Sequence, residues 1–241
     1  FPFASVVEVP AAEALEWTAE VYRAAGARLA AKGKLQGVAD EGGYWPAVDS
    51  NEEVLAETVA AIEAAGFEPG RDLALSLDIA STQLRRGGRY HLKRDGVTLD
   101  TDGMIRLMLA WLDCYPIAAI EDPLAEDDAA GLTAFTHEAG QRVQIIGDDF
   151  LVTNAARVAD AAARGACNAV LVKPNQAGTL TEAKAALDAG KRAGWRTIVS
   201  ARSGETEDVT IAHLAVGWRA GQLKVGSFAR SERMAKWNEV L

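Results

Sequence analysis

The feature that most constrains the fold is an alternation, repeated six times, between short apolar runs rich in β-branched residues and alanine-rich segments of helical periodicity. Each apolar run is bounded by Gly, Pro or Asp, as expected of a buried strand in a parallel sheet. The predicted strands are residues 73–80, 117–121, 143–148, 169–173, 197–200 and 223–225. The predicted helices include residues 51–65, 102–114, 155–164, 180–193 and 207–220.

This alternation predicts an α/β fold in which right-handed crossovers connect parallel strands. Gly66, Gly165, Gly194 and Gly221 lie where four of the helices should end, since glycine accepts a left-handed cap conformation. With an additional strand at residues 4–9, there are enough strands to approach a closed (β/α)8 barrel of the TIM type, forming one domain over residues 1–241. A doubly wound open sheet is the competing fold.

Composition narrows the classes of partner. The formal net charge is −9 and Lys and Arg form no basic face, so a nucleic acid would be repelled. We expect no membrane partner, because no stretch of 18 apolar residues occurs. Cys114 and Cys167 form no C-x-x-C motif and sit in apolar surroundings typical of buried free thiols, which predicts a reducing, cytoplasmic location. The chain opens at Phe1 without Met, so we expect a domain of a longer protein.

Three predicted strands end in an acid, at Asp78, Glu121 and Asp148. In a parallel barrel the carboxyl ends of the strands open on one face, so these carboxylates should converge there. Three converging carboxylates repel one another unless a cation lies among them, and oxygen ligands favour Mg²⁺. Any one of these acids could instead cap the next helix. Neighbouring acids are better explained as caps, as supports for the ligands or as solvated loop charges: Asp122, Asp127, Asp128 and Asp149.

The next strands place lysines at the same mouth: Lys173 follows residues 169–172, and Lys224 follows Leu223. A lysine there could remove a proton from carbon while metal ions stabilise an enolate-like product. The alternative is a structural salt bridge to one of the carboxylates.

The C-terminal segment, residues 230–241, reads as an amphipathic helix. Met234, Trp237 and Leu241 are spaced to cover one face, and we expect that face to pack against the barrel.

Several strings resemble the signatures of the enolase (phosphopyruvate hydratase) family, and the resemblance covers almost the whole chain from Val21 onward. They are Asp40-Glu41-Gly42-Gly43, Ile120-Glu121-Asp122-Pro123-Leu124-Ala125-Glu126-Asp127-Asp128, Gly147-Asp148-Asp149, Lys173-Pro174-Asn175-Gln176-Ala177-Gly178-Thr179-Leu180, Ser203-Gly204-Glu205-Thr206-Glu207-Asp208 and Ala229-Arg230-Ser231-Glu232-Arg233.

The resemblance implies an enolase-type barrel with an irregular ββαα start, acting as a glycolytic hydro-lyase on a small phosphorylated carboxylic acid. Asp78, Glu121 and Asp148 would bind the catalytic Mg²⁺, and Lys173 would be the base. Glu41 would help expel the hydroxyl as water. Lys224 would hold the substrate carboxylate, and Arg202 and Ser203 would hold its phosphate. A homodimer is also expected, because relatives in this family usually dimerise.

Some positions depart from the family pattern. The family reads Ser-His-Arg-Ser-Gly where this chain has Ser200-Ala201-Arg202-Ser203-Gly204, so an active-site histidine is replaced. Ser5 stands where a second acid is usual, a histidine-containing loop expected between Phe3 and Ser5 is absent, and residues 1–241 do not include the smaller N-terminal lid domain. Two alternatives follow: a paralogue acting on a different phosphorylated or phosphonate acid, and a barrel that binds or scaffolds without catalysis.

Overall fold

The computed structural model describes the backbone of residues 3–5 and all of residues 9–241. The predicted helices begin close to where the periodicity places them, and five helices open at a side chain that accepts a hydrogen bond from the first turn in the way an N-cap does: Ser50, Asp100, Asp128, Asn154 and Thr179. The helices are α1 (Ala11–Ala31), α2 (Asn51–Ala64), α3 (Thr101–Cys114), α4 (Ala129–Ala139), α5 (Ala155–Arg164), α6 (Pro174–Ala177), α7 (Leu180–Arg192), α8 (Thr210–Gly217) and α9 (Ser231–Val240).

The strands form one large sheet and two small ones. They are β1 (Phe3–Ser5), β2 (Leu35–Val38), β3 (Tyr44–Pro46), β4 (Leu73–Asp78), β5 (Arg85–Arg86), β6 (Arg89–Leu92), β7 (Val97–Leu99), β8 (Ile117–Glu121), β9 (Gln144–Gly147), β10 (Ala169–Val172), β11 (Arg196–Ser200) and β12 (Gly221–Lys224). All six predicted parallel strands are present, and every bound lies within two residues of the predicted one.

The order of strands in the large sheet is β1-β4-β8-β9-β10-β11-β12, and each neighbouring pair from β4 onward is parallel. Apart from the small strands, this is the order along the chain. In a doubly wound sheet the order of the strands reverses at a switch point, and the strand order does not reverse here among the described strands. The α/β barrel prediction is therefore confirmed over the open sheet.

The start of the chain departs from the repeat, as expected, but the described part has the order β1-α1-β2-β3-α2 and not the ββαα order that the resemblance implied. Strand β1 pairs with β4 in antiparallel register, with Phe3 opposite Leu75. Two helices, α1 and α2, separate these strands, with the β2–β3 hairpin between the helices. One crossover helix returns the chain to the end where the strand began, whereas two leave it at the opposite end, so the next strand runs the other way. Residues 6–8 of the predicted strand 4–9 lie outside the described part.

The sheet is buried on both faces, which is what a curled parallel sheet wrapped by helices requires. Along β10, Ala169 and Leu171 belong to an inner cluster, whereas Val170 and Val172 belong to the larger core between sheet and helices. The inner cluster is completed from β8, β9 and β11 by Ala119, Ile146 and Ile198. This alternation distinguishes the inside of the barrel from the face that the helices cover.

Local details both support and correct the sequence analysis. Gly66, Gly165 and Gly194 have positive φ and lie just after the ends of α2, α5 and α7, as predicted. Gly221 also has positive φ, but the prediction that it ends a helix was wrong, because α8 ends at Gly217 and Gly221 is the first residue of β12. Cys167 is buried, but Cys114 is exposed, because it is the last residue of α3 on the solvent side; the prediction of two buried thiols was wrong for Cys114. No helix in the described part of the chain is long and apolar enough to cross a membrane.

The C-terminal helix packs on the barrel and Trp237 contacts the core as predicted, but its most buried face is different from the predicted one. Leu241 is 71% exposed, and the two fully buried side chains of α9 are Arg233 and Lys236. Met234 and Trp237 are only partly buried. The apolar spacing predicted the helix but not its buried face. Arg233 and Lys236 are buried because they donate hydrogen bonds to loop carbonyls, and the sequence pattern does not show that these carbonyls lie nearby.

Asp128, at the start of α4, joins three elements through its carboxylate. Oδ2 accepts hydrogen bonds from Tyr90 (2.8 Å) and Thr101 (2.6 Å), and Oδ1 accepts one from the Gly131 N–H (3.1 Å). Burial alone would raise the pKa of Asp128, but these donors outweigh it and lower the pKa. The carboxylate is therefore a support of α4 and not a free metal ligand.

We expect Asp128→Ala to lower the free energy of unfolding by about 3 kcal/mol, because it removes a cap and leaves buried donors unpaired. Urea unfolding at neutral pH measures this, with exposed Asp127→Ala as the control, expected within about 0.5 kcal/mol of wild type. Since the native pKa is depressed, the stabilisation is present above the unfolded-state pKa and is lost as pH falls through the native pKa. A difference between the variants that persists unchanged in acid would contradict this account.

Candidate active site

The acids and lysines singled out in the sequence lie together at the mouth of the barrel. Asp78 and Glu121 are the last residues of the adjacent strands β4 and β8, and they are opposite each other in the ladder. Asp148 directly follows β9, and Lys173 directly follows β10. Because consecutive parallel strands end at the same edge, sequence positions far apart become neighbours.

Lys224, the last residue of β12, reaches across the mouth to the first two acids. Its Nζ lies 2.9 Å from Asp78 Oδ2, and 2.9 and 2.7 Å from the two oxygens of Glu121. Glu121 is only 3% exposed, and its burial raises the pKa of this carboxyl, against the attraction of Lys224. Burial alone would lower the pKa of Lys224, but Glu121 and Asp78 outweigh it and raise the pKa. One ammonium thus offsets the repulsion between two carboxylates.

Asp148 and Lys173 form the second ion pair of the mouth, through Oδ2 and Nζ in direct contact. Asp148 is 6% exposed, and its other oxygen, Oδ1, is buried without a hydrogen-bond partner among the described residues. A buried carboxylate oxygen without a donor is costly, and such groups commonly mark the place of an ion or a ligand. This oxygen is the best single indication that the acids can bind a cation.

Asp122 supports this centre from below. Its two oxygens accept hydrogen bonds from the backbone N–H groups of Asp148 (2.9 Å) and Asp149 (2.8 Å). Burial raises the pKa of Asp122 to about 7, even though the two donors favour the charged form. The residue has φ of +41°, a strained conformation of the kind that clusters at functional sites. The prediction that Asp122 is a supporting neighbour agrees with these contacts.

The donor set fits a hard divalent cation. Oxygen atoms of Asp122, Asp148 and Asp149 lie within 4.8 Å of one another. Glu121 lies near this cluster, since, besides burial, the charges of Asp78 and Asp148 both raise its pKa. This cluster differs from the predicted ligands Asp78, Glu121 and Asp148. Both oxygens of Asp122 are already engaged by backbone donors, whereas Asp148 Oδ1 has no hydrogen-bond partner among the described residues. Carboxylates without thiols or imidazoles suit Mg²⁺ better than zinc.

Lys173 is fixed from its backbone side by a residue that the sequence analysis missed. The N–H of Lys173 donates to Thr153 Oγ1 at 3.0 Å, and that hydroxyl donates to Gln176 Oε1 at 2.7 Å. Thr153 is buried and follows Val152, and both have positive φ. Two consecutive β-branched residues with positive φ are unusual, but nothing in their sequence spacing predicts this conformation.

The loop after β11 carries Arg202 and Ser203 at the rim. The Arg202 guanidinium lies 3.4 Å from Asn175 Oδ1, two residues beyond Lys173, and the backbone N–H of Arg202 donates to Glu205 Oε1 at 2.8 Å. Ser203 is exposed. Ala201 is buried beneath them, and its N–H donates to the Lys224 carbonyl at 2.8 Å. An arginine and a hydroxyl at this edge could bind an anionic group.

Glu41 lies in the turn between β2 and β3, against the loop that follows β12. Its carbonyl accepts from the Ser227 N–H at 2.7 Å, and a Cβ at Gly226 would lie 2.6 Å from that same oxygen. Gly226 also has φ of +124°, so only glycine allows this approach. The Glu41 side chain is exposed, and its backbone is tied to the segment just beyond Lys224. The strand that holds Ser5 pairs with β4, but its side chain lies outside the described part.

Fold and site together define an α/β-barrel protein with paired acids and lysines at the carboxyl ends of its strands. The family model described as Enolase, C-terminal TIM barrel domain, matches residues 4–241. The chain therefore belongs to the enolase family, through its C-terminal TIM barrel domain. Its class is that of the enolase-superfamily lyases, a group whose members generally use Mg²⁺.

Proposed function

We propose that this chain is the barrel of a Mg²⁺-dependent hydro-lyase that converts 2-phosphoglycerate to phosphoenolpyruvate, or acts on a close analogue. The observation that carries this proposal is the mouth itself, where Lys224 contacts Asp78 and Glu121 while Lys173 contacts Asp148. A lysine base beside carboxylates that can hold a divalent cation is the arrangement needed to remove a proton next to a carboxylate group.

In the proposed mechanism, Lys173 removes the carbon-bound proton, and the electron pair of the broken C–H bond forms the new double bond as the hydroxyl leaves. Glu41 donates a proton to that hydroxyl, which departs as water. Lys224 holds the substrate carboxylate, where negative charge develops, and Arg202 and Ser203 hold the phosphate. Asp78, Glu121 and Asp148 would bind Mg²⁺, which when bound supplies positive charge beside that carboxylate.

The direct test is turnover of 2-phosphoglycerate by the protein with any flanking segments that its gene encodes. We expect the ultraviolet absorbance of phosphoenolpyruvate to rise with Mg²⁺ present and to stop rising when EDTA is added. The proposal is wrong if no absorbance develops while Mg²⁺ binds and the protein is folded.

A paralogue with another substrate is the second candidate, and Ala201 favours it because this buried position lies under the proposed phosphate-binding loop. If the substrate is 2-phosphoglycerate, we expect Ala201→His to raise its turnover by about tenfold, a modest share of what acid–base groups contribute. Ala201→Leu controls for side-chain volume. No gain with histidine would favour a different phosphorylated or phosphonate acid.

A catalytically silent scaffold is the third candidate, and the intact acid–lysine set argues against it. Calorimetry with Mg²⁺ and a phosphonate mimic of the transition state distinguishes a scaffold from a lyase, since a lyase should bind the mimic tightly and only when the metal is present. Binding that ignores Mg²⁺ would favour the scaffold.

We further propose a cytoplasmic homodimer, on the family resemblance alone. Light scattering of the protein eluting from a sizing column measures its mass, and a monomeric mass at micromolar concentration would rule the dimer out.

A further inference from the structure

Arg233 is a fully buried cation whose partners are loop carbonyls. Its side chain is 0% exposed on helix α9. Nη1 donates to the carbonyls of Arg202 (2.7 Å) and Val225 (2.8 Å), and Nη2 donates to Ser203 (2.6 Å) and, more weakly, to Asp40 (3.5 Å). One side chain therefore binds three separate segments of the mouth.

These three segments carry residues that we place in the mechanism. Asp40 precedes Glu41, Arg202 and Ser203 are the proposed phosphate ligands, and Val225 follows Lys224. The rigid end of one helix thus sets the spacing between loops that come from distant parts of the sequence. Misplacement of such groups by about 1 Å can cost a hundredfold in rate.

The charge balance of Arg233 argues against a role as a simple salt bridge. The carboxylate beside it, Glu232, lies 3.7 Å from Nε, an atom that has no hydrogen-bond partner among the described residues. Burying a guanidinium without a well-paired carboxylate is costly. Carbonyl oxygens from several loops offset that cost only when all of them converge on the fork of donors, which arginine provides and lysine does not.

Two further side chains of the same helix hold the same loops. Lys236 is 1% exposed, and its Nζ donates to the Thr206 carbonyl at 2.7 Å and lies 3.2 Å from Glu205 Oε2. The other oxygen of Glu205 accepts from the Arg202 N–H. Trp237 Nε1 donates to the Gly226 carbonyl at 3.1 Å. Helix α9 therefore holds the loops after β11 and β12 at more than one point.

We propose that Arg233 is a positioning residue that sets the relative placement of the three mouth segments, residues 39–43, 202–206 and 225–228. Its effect on turnover rests on the proposed lyase function, whereas its effect on the loops does not. Arg233 touches no reacting atom in this account; it acts through the backbone that carries Glu41, Arg202 and Lys224.

The test compares Arg233→Met with Phe135→Leu, a fully buried core substitution in α4 chosen to lower the melting temperature without touching the mouth. Hydrogen exchange read by mass spectrometry should show about tenfold faster exchange in Arg233→Met at residues 39–43, 202–206 and 225–228, with β10 unchanged, as expected for loss of local protection. The Ser227 N–H, bonded to the Glu41 carbonyl, is the most direct probe. Phe135→Leu should not produce this pattern.

The kinetic measurements compare the same two variants, Arg233→Met and Phe135→Leu. In Arg233→Met we expect KM for the phosphorylated substrate to rise and kcat to fall, lowering kcat/KM by about a hundredfold. Phe135→Leu should change it by less than about threefold, because the substitution lies away from the mouth. Arg233→Lys keeps the charge without the fork and should fall between wild type and Arg233→Met; it also serves if the methionine variant does not fold.

The outcomes separate the two proposals. If the exchange pattern appears but wild type turns over no substrate, the lyase assignment fails and the positioning role stands. If Arg233 variants and Phe135→Leu loosen the same regions equally, Arg233 is only a stabilising residue and the inference is overturned.

Discussion

Lys173→Ala is expected to lower the turnover of 2-phosphoglycerate by at least about a thousandfold, because the variant removes the group that takes the proton from carbon. Lys173 follows β10, its N–H is held by Thr153, and its Nζ contacts Asp148. Lys224, the other lysine that we place at the mouth, does not substitute for it, since it is engaged with Asp78 and Glu121. The initial rate of phosphoenolpyruvate formation at saturating Mg²⁺ measures the effect.

The matched control is Lys184→Ala, which removes an exposed lysine paired with Asp188 on helix α7. Its rate should stay within about twofold of wild type, since an exposed pair of this kind contributes little to stability. Exchange of the substrate's carbon-bound hydrogen with deuterated water isolates the proton-transfer step and should disappear in Lys173→Ala alone. If that exchange persists in the variant, Lys173 is not the base.

Much of the fold was predictable from the sequence, because the information that defines it is local. The run at residues 169–173 is short, β-branched and closed by a Lys-Pro pair, and it became β10 with one residue fewer. Parallel topology then followed from the alternation with helices. Asp78, Glu121 and Asp148 could be placed at one mouth because each lies at the carboxyl end of a strand, and the carboxyl ends of parallel strands open on the same face of the barrel.

Other elements were missed because their signals are weak or tertiary. Helix α4 was not predicted, although Asp128 stands at its N-cap and Leu132 and Phe135 give the helical spacing. The sheet of β5, β6 and β7 was also missed, although the Gly87-Gly88 pair, with positive φ at both residues, is a hairpin signal.

Residues that support the site were the least predictable. Arg233 was read as part of a family string and then left out of the helix face, because a charged residue at that spacing normally faces solvent. Its burial depends on carbonyls brought together from three loops. Thr153 likewise acts through a hydrogen bond to Lys173 that no spacing rule connects. Contacts of this kind are products of the fold and carry no periodic sequence signal.

Glu121→Gln is expected to weaken Mg²⁺ binding by at least about a hundredfold, because a neutral amide replaces a buried anionic ligand. Asp148→Asn should do the same, since it removes the carboxylate with the free oxygen. Calorimetric titration with Mg²⁺ in the absence of substrate measures both. The control is Asp160→Asn, an exposed acid paired with Arg164 on helix α5, which should bind Mg²⁺ like wild type.

Asp122→Asn decides between the two possible ligand sets. If Asp78, Glu121 and Asp148 bind the metal, Asp122 acts only by holding the backbone at Asp148 and Asp149, and its loss should weaken binding by about tenfold, as for outer supports of metal ligands. If the compact cluster of Asp122, Asp148 and Asp149 binds the metal instead, Asp122→Asn should abolish binding while Glu121→Gln leaves it nearly intact. That reversed order would place the cation among Asp122, Asp148 and Asp149 and not between Asp78 and Glu121, which Lys224 contacts, and the proposed placement of the substrate carboxylate would have to move with it.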